Sequence, residues 1–193
     1  MRLELDKMLE DGIIEPVEES DWVSPMVVQE KRQKGEIRIC IDLRKINDAY
    51  VHDPFSTLFT DEVMYNVGGE EAYSFIDGFS GYHQIKIAPK YRRKTNFVTE
   101  WGCLHYIVMP FGLKNGTKIF SCIVITVLEE FIHKFLEVYF DDWTMFGLVK
   151  HHVASLHLVL DMCRRYQIML NLNKCLFCVP FGIFLGHVCT RKD

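Results

Sequence analysis

The 193-residue sequence predicts an α+β fold, and three observations carry that expectation. Ile37, Ile39 and Ile41 alternate with Arg38, Cys40 and Asp42, the period-two signature of a half-buried strand. Phe120, Ile123, Val124, Val127, Leu128, Phe131 and Phe135 recur at three and four residues, the period of an amphipathic helix. Strand and helix signals then mix along the chain without the strict alternation of a parallel sheet. An apolar content of 49%, with 13% aromatic residues, suffices for a real core and excludes a disordered or collagen-like chain. The length suits one large domain or two small ones, and no repeat, Ser/Gly linker or like-charge block marks a boundary.

Taken in order, Leu3 to Asp11 predicts a short helix stopped by Gly12, and the alternating strand follows at 37–41. Asp61 to Val67 is a second short helix, with Thr60 as its cap and Gly68-Gly69 behind it. Tyr73 to Ile76 is a strand running into Asp77, and Phe97 to Thr99 pairs with Leu104 to Val108 around Trp101-Gly102. Thr117 to Phe135 reads as one long helix, and Val153, Leu156, Leu160 and Cys163 mark another, opened by His151 and His152 at exposed positions. Between these helices, Leu136 to Phe140 and Trp143 to Phe146 flank Asp141-Asp142, a hairpin with carboxylates at its tip.

The net charge of −4 excludes a uniformly basic surface. It is also uneven, because eight acids and one base lie between Glu4 and Asp21 while residues 22–193 hold 20 bases and 18 acids. No apolar stretch reaches the roughly 18 uncharged residues of a spanning helix. The start is charged too early for a signal peptide, and seven cysteines, mostly in apolar runs, suit reduced thiols. A soluble intracellular protein without a membrane partner is expected.

Two adjacent aspartates at a hairpin tip ordinarily mark a solvated turn. Here Tyr139, Phe140 and Trp143 make the flanks apolar, so the tip leaves a packed sheet, the rigid mount that a metal site requires. Asp77 adds a third carboxylate at the end of Tyr73-Ser74-Phe75-Ile76, and three acids converge if the strands are neighbours. Packed carboxylates raise one another's pKa, so the cluster makes sense as a seat for hard divalent ions with oxygen ligands, Mg²⁺ foremost. Two such ions about 4 Å apart stabilise the attacking and leaving oxygens of an in-line phosphoryl transfer.

At these residues the sequence resembles a known family. Phe75-Ile76-Asp77-Gly78-Phe79-Ser80-Gly81-Tyr82-His83-Gln84-Ile85, Met109-Pro110-Phe111-Gly112-Leu113-Lys114-Asn115 and Tyr139-Phe140-Asp141-Asp142 are similar, in order, to the palm motifs of gypsy-type LTR-retrotransposon reverse transcriptases. Ile41-Asp42-Leu43-Arg44-Lys45-Ile46-Asn47, Asp53-Pro54-Phe55 and Phe184-Leu185-Gly186-His187 agree as well, so the resemblance spans nearly the whole chain. With Phe140 before the Asp pair, the sequence resembles the plant members of that family. The family implies the right-hand polymerase fold, with fingers near 1–51 and 85–125, and palm near 52–84 and 126–193. An antiparallel palm sheet backed by helices is expected, with thumb, connection and RNase H domains outside this stretch.

The resemblance also implies roles. Asp77 and Asp141 match the principal metal ligands and Asp142 the third catalytic carboxylate, for two Mg²⁺ ions with Mn²⁺ as the alternative; the carbonyl after Asp77 joins the coordination. Tyr82 matches the aromatic under the incoming sugar that excludes a 2′-hydroxyl. Arg38 and Lys31 match the fingers residues on the base and phosphates of the dNTP, and a guanidinium can stack and bind phosphate oxygens at once. Arg44 and Asn47 face the template; Tyr139, Gly186 and His187 belong to the template and primer side, with Phe184 to His187 as the primer grip.

The fingers ranges, taken from Trp22 onward, hold 13 bases against five acids, and the acid-free run Lys86 to Lys94 lies beside the template region, where nucleic-acid contact is its favoured use. The chain departs from the family after Asn115, where Gly116-Thr117-Lys118-Ile119-Phe120-Ser121 replaces Ala-Pro-Ala-x-Phe-Gln. Ser121 then stands where a glutamine contacts the nucleotide sugar, and Lys118 where a small residue belongs. Pro54-Phe55-Ser56-Thr57-Leu58-Phe59 likewise replaces Pro-Phe-Pro-Leu-Pro. These changes bear on nucleotide binding and leave the carboxylates intact.

The implied activity is attack of a primer 3′-OH on a dNTP, directed by an RNA or DNA template. It would belong to a retrotransposon polyprotein with protease, RNase H and integrase domains, in a cytoplasmic virus-like particle with access to the nucleus. Two other readings stand beside it: a silent remnant that binds nucleic acid or only folds, and a metal-dependent nuclease using the same acids. Cys175, Cys178, His187 and Cys189 superficially resemble a zinc set, but strand alternation sends the first two thiols to opposite faces. No chemistry is assigned to His83.

Overall fold

The computed structural model describes residues 1–18, 22–30, 37–51, 60–79 and 81–191, with the backbone alone at 29, 30, 37 and 38. The chain divides into two compact units, Met1–Asp53 with Tyr82–Gly116, and Pro54–Gly81 with Thr117–Asp193. The first unit contributes α1 (Arg2–Glu10), β1 (Ile14–Val17), β2 (Met26–Glu30), β3 (Ile37–Ile41) and α2 (Arg44–Asp48). The second then supplies α3 (Thr60–Val67) and β4 (Ala72–Asp77), and the first resumes with α4 (Pro89–Arg92), β5 (Phe97–Thr99) and β6 (Gly102–Tyr106). The remainder is α5 (Gly116–Leu128), β7 (Leu136–Tyr139), β8 (Asp142–Gly147), α6 (Val149–Arg165), β9 (Leu176–Val179), β10 (Phe181–Phe184) and β11 (His187–Thr190). The second unit resumes at Thr117, one residue into α5.

In the first unit the sheet order is β1-β6-β5, antiparallel throughout. Leu5 of α1 meets Ile14, Phe97, Leu104 and Tyr106 in its core, and Ile39 and Ile41 of the β2–β3 hairpin pack against them, which is why that strand alternates. Burial pushes the Tyr106 phenol up to about 12. Gly12, at φ 65°, ends α1 in the left-handed conformation, and the Ile13 N–H turns back to the Met8 carbonyl at 2.9 Å. Glu15 of β1 accepts from His105 of β6 at 2.7 Å and from Arg92 of α4 at 3.1 Å.

In the second unit four antiparallel strands run in the order β7-β8-β4-β9. The central strands are covered on both faces, so Ala72, Tyr73 and Ser74 are all buried and the sequence does not alternate. On one face Trp143 stacks with Phe120 of α5 at 6.4 Å, and Ser74 Oγ meets His152 Nε2 of α6 at 2.8 Å. On the other, Val63 and Val67 of α3 join Tyr73, Phe146, Phe184 and Cys189 in one cluster.

Three sequence expectations change here. The helix expected to Phe135 stops at Leu128; a 3₁₀ turn over Glu129–Phe131 and a left-handed His133, φ 61°, reverse the chain. Phe131 and Phe135 keep helical spacing because their rings stack across that turn at 5.2 Å. His152 is buried rather than exposed, because its ring turns inward to Ser74, while His151 is exposed. The hairpin turn is Phe140-Asp141, so Asp142 is already a strand residue rather than part of the tip.

Candidate active site

Asp77 closes β4 and Asp142 opens β8, and the two are direct partners at the end of the ladder between those strands. Asp141 takes the second position of the turn between Tyr139 and Asp142, which are themselves cross-strand partners. Phe140 takes the first at φ 54°, a left-handed conformation that costs a non-glycine residue about 1 kcal/mol. Its ring packs edge-on against Tyr139 at 4.8 Å, so the turn is braced rather than loose. The register thus gathers the three acids at one end of the sheet.

Their charges are felt. The Asp142 carboxyl lies above the usual carboxylate range, first because the packed strand ends desolvate it, then because Asp141 and Asp77 are negative; Lys174 acts in the opposite direction. Lys174 Nζ is 3.3 Å from Asp77 Oδ2. Among the described residues no three His, Cys, Asp or Glu side chains already close on a common point as metal ligands do. The donors nevertheless fit a divalent cation: all are carboxylates, they repel one another, and one already holds an ammonium group.

The backbone under the acids is anchored. Asp77 donates its N–H to Cys175 Sγ at 3.4 Å, and its carbonyl accepts from the Asn171 N–H at 2.9 Å. Two residues on, the Phe79 N–H donates to the Met169 carbonyl at 2.9 Å. A Cβ at Gly78 would stand 3.0 Å from Phe120 Cζ, and one at Gly81 2.7 Å from it, which is why the segment after Asp77 carries glycine at both positions. A groove of about 270 Å³ beside the acids is lined by Phe75, Asp77, Asp142, Lys174, Phe184 and Leu185. Its far wall is the β10–β11 hairpin, whose turn residues Leu185 and Gly186 both have positive φ, 49° and 80°, as a type I′ turn requires. Gly186 and His187 are exposed there.

The other predicted residues have separate surroundings. Tyr82, in the first unit, is half-buried with Phe111 edge-on at 5.0 Å. His83 lies 5.0 Å from the same ring, and burial lowers its pKa. Arg44 is exposed and its Nε lies 2.9 Å from both Asp42 carboxylate oxygens, which holds Asp42 below the usual carboxylate range. Asn47 was expected to face the template, yet its side-chain amide donates to the Gly112 carbonyl at 2.8 Å and its Oδ1 accepts from the Lys114 N–H at 2.8 Å. It ties α2 to the Met109–Asn115 loop instead. Ser121 is buried and donates to the Thr117 carbonyl at 2.9 Å, one helical turn back, so its hydroxyl is turned into the helix rather than toward a nucleotide. Lys31 lies outside the described residues, and Arg38 is described only by its backbone, opposite Gln29. Cys175 is buried on Asp77 while Cys178 is exposed, so the two thiols part.

Sequence reasoning missed Lys174, Cys175 and Phe120 as neighbours of the acids. Only Phe120 carried a signal, its place in the helical period; nothing local to Asn171–Cys175 points at Asp77.

A family model described as reverse transcriptase (RNA-dependent DNA polymerase) matches residues 29–189. The chain belongs to the reverse transcriptase family. Among its relatives, the retrovirus-related Pol polyprotein from transposon 412 of Drosophila melanogaster is 30% identical over 100% of this chain and 16% of its own length. The Pol polyprotein from transposon gypsy of the same organism is 30% identical over 97% of this chain and 19% of its own. The chain therefore spans less than a fifth of those polyproteins. A shorter relative, the RNA-directed DNA polymerase homolog of Oenothera berteroana, is 29% identical over 64% of this chain and 89% of its own. A foamy viral protease-reverse transcriptase in complex with double-stranded DNA has the same fold, with a TM-score of 0.87 at 21% identity over 98% of this chain and 33% of that one.

Proposed function

We propose that this chain forms the fingers and palm of an RNA-directed DNA polymerase that adds dNTPs to a primer 3′-OH on an RNA or DNA template. The observation that carries the reading is the Asp77–Asp142 cross-strand pair with Asp141 in the adjoining turn, an acid cluster on an anchored backbone. Asp77, Asp141 and Asp142, with the carbonyl that follows Asp77, would hold Mg²⁺, or Mn²⁺ as the alternative. When bound, such ions offset the charge that develops on the attacking and leaving oxygens.

The chain's own contribution is positioning. Asp77 is held by Asn171 and Cys175, and Asp141 by the braced turn at Phe140. Tyr82, steadied by Phe111, would lie under the sugar and exclude a 2′-hydroxyl. Lys31 and Arg38 would take the phosphates and base of the dNTP. Tyr139, Gly186 and His187 would meet the primer. Arg44 and the bases from Lys86 to Lys94 would hold template phosphates by charge without reading sequence, while Asn47 fixes the loop that follows Met109. Protease, RNase H and integrase as neighbouring domains of one polyprotein belong to the same reading.

The test is primer extension on an RNA template with Mg²⁺ and dNTPs, comparing the chain with its Asp141→Asn variant. Loss of one ligand should lower incorporation by about three orders of magnitude, corresponding to several kcal/mol of transition-state stabilisation. Incorporation equal in both, with hybrid binding retained, would overturn the enzyme and leave a nucleic-acid-binding remnant.

A further inference from the structure

We propose that Lys174 is a built-in counter-ion of the carboxylate site, an ammonium group that divalent metal must displace from Asp77 before it can bind there. The inference rests on the carboxylate reading above and adds a residue that sets how tightly the site holds its ion.

Lys174 Nζ lies 3.3 Å from Asp77 Oδ2, with the lysine side chain 65% exposed and the aspartate 27%. A pair so placed on a surface is ordinarily incidental. Two features separate this one. Its acid is the cross-strand partner of Asp142, and the ammonium acts on that second carboxylate as well. Its stem is also docked. Asn171 donates its N–H to the Asp77 carbonyl at 2.9 Å and accepts from the Lys174 N–H at 2.9 Å, while Cys175 Sγ accepts from the Asp77 N–H. Asn171 and Cys175, on either side of Lys174 in the chain, are therefore bound to the backbone of the acid with which Lys174 pairs.

A fixed root with a solvent-facing head delivers positive charge to Asp77 and still allows it to swing away. A divalent ion that takes Asp77 Oδ2 as ligand meets an ammonium donor on the same oxygen, and two cations cannot share it without repulsion. Removing the lysine charge should then tighten metal binding, by about fivefold for a solvent-screened pair. Added salt should narrow that difference.

The experiment titrates Mn²⁺ into the chain without nucleic acid or dNTP and reads free ion by electron paramagnetic resonance, at low and high ionic strength. Lys174→Met and Lys174→Gln should each bind about fivefold more tightly than the wild type at low salt. Lys174→Arg, which keeps the charge, should stay near the wild type, and far-UV circular dichroism checks that each variant is folded. Asp141→Asn should weaken saturable binding. Neutral variants that bind no more tightly than the wild type, with Asp141→Asn still weakened, overturn the counter-ion role and leave the carboxylate seat standing. Mn²⁺ binding that ignores Asp141→Asn overturns both.

Discussion

Gly182→Ala tests how the β10–β11 hairpin is seated on β4. A Cβ at Gly182 would stand 2.1, 2.6 and 2.9 Å from Cε2, Cζ and Cδ2 of Phe75. Relaxed carbon contacts lie at about 3.5–4.0 Å, so ring or hairpin must recede by roughly 1.5 Å. The ring has little room to turn, because it stacks with fully buried Tyr73 at 6.0 Å and its backbone pairs with Thr144 and Leu176. The expected cost is about 2 kcal/mol, within the range of overpacked cores, and lowers the urea midpoint by about 1 M. Phe75 is two residues from Asp77, and the hairpin carries Gly186 and His187, so primer extension should fall alongside stability. Phe75→Leu makes space. The double variant should recover at least half of the loss, a coupling of about 1 kcal/mol in a double-mutant cycle. Urea titration read by far-UV circular dichroism and by tryptophan emission, to which buried Trp143 contributes, measures it. An additive cycle, or a Gly182→Ala chain as stable as the wild type, would refute the packing argument.

Two further outcomes follow from the geometry. His105 and Arg92 hold Glu15 below its ordinary carboxylate range, so the stability it contributes is complete above the unfolded value of 4.5 and is lost as pH falls through the lower folded value. Glu15→Gln should therefore cost about 0.5–1 kcal/mol at neutral pH, discounted for solvent screening, and nothing in strong acid; thermal melts at both pH values check the sign. Ser121→Ala should leave KM for dNTP within about twofold of the wild type in steady-state incorporation, since the hydroxyl is bonded to its own helix; a tenfold rise would contradict that orientation.

The sequence by itself determined which candidate groups the chain carries. Asp77, Asp141 and Asp142 stand in contiguous strings, and contiguous strings are legible because strand period, turn residues and apolar flanks act over a few positions. Gly12 as a helix stop and the alternation of Ile37 to Ile41 were readable for the same reason. Tertiary structure decided what those residues face. Asp77 meets Asp142 only through the register of β4 with β8, whose segments 72–77 and 142–147 lie far apart in the chain. Lys174 reaches Asp77 only because the turn at Asn171 docks on that strand's end. Asn47 and Ser121 have polar groups that suit a ligand, and the fold bonds both to neighbouring backbone. The long helix failed at Leu128 because stacking of Phe131 on Phe135 satisfies the same four-residue spacing in a turn. Short-range patterns specify which groups are present and on which local face; which partner each group meets depends on the long-range pairing of strands.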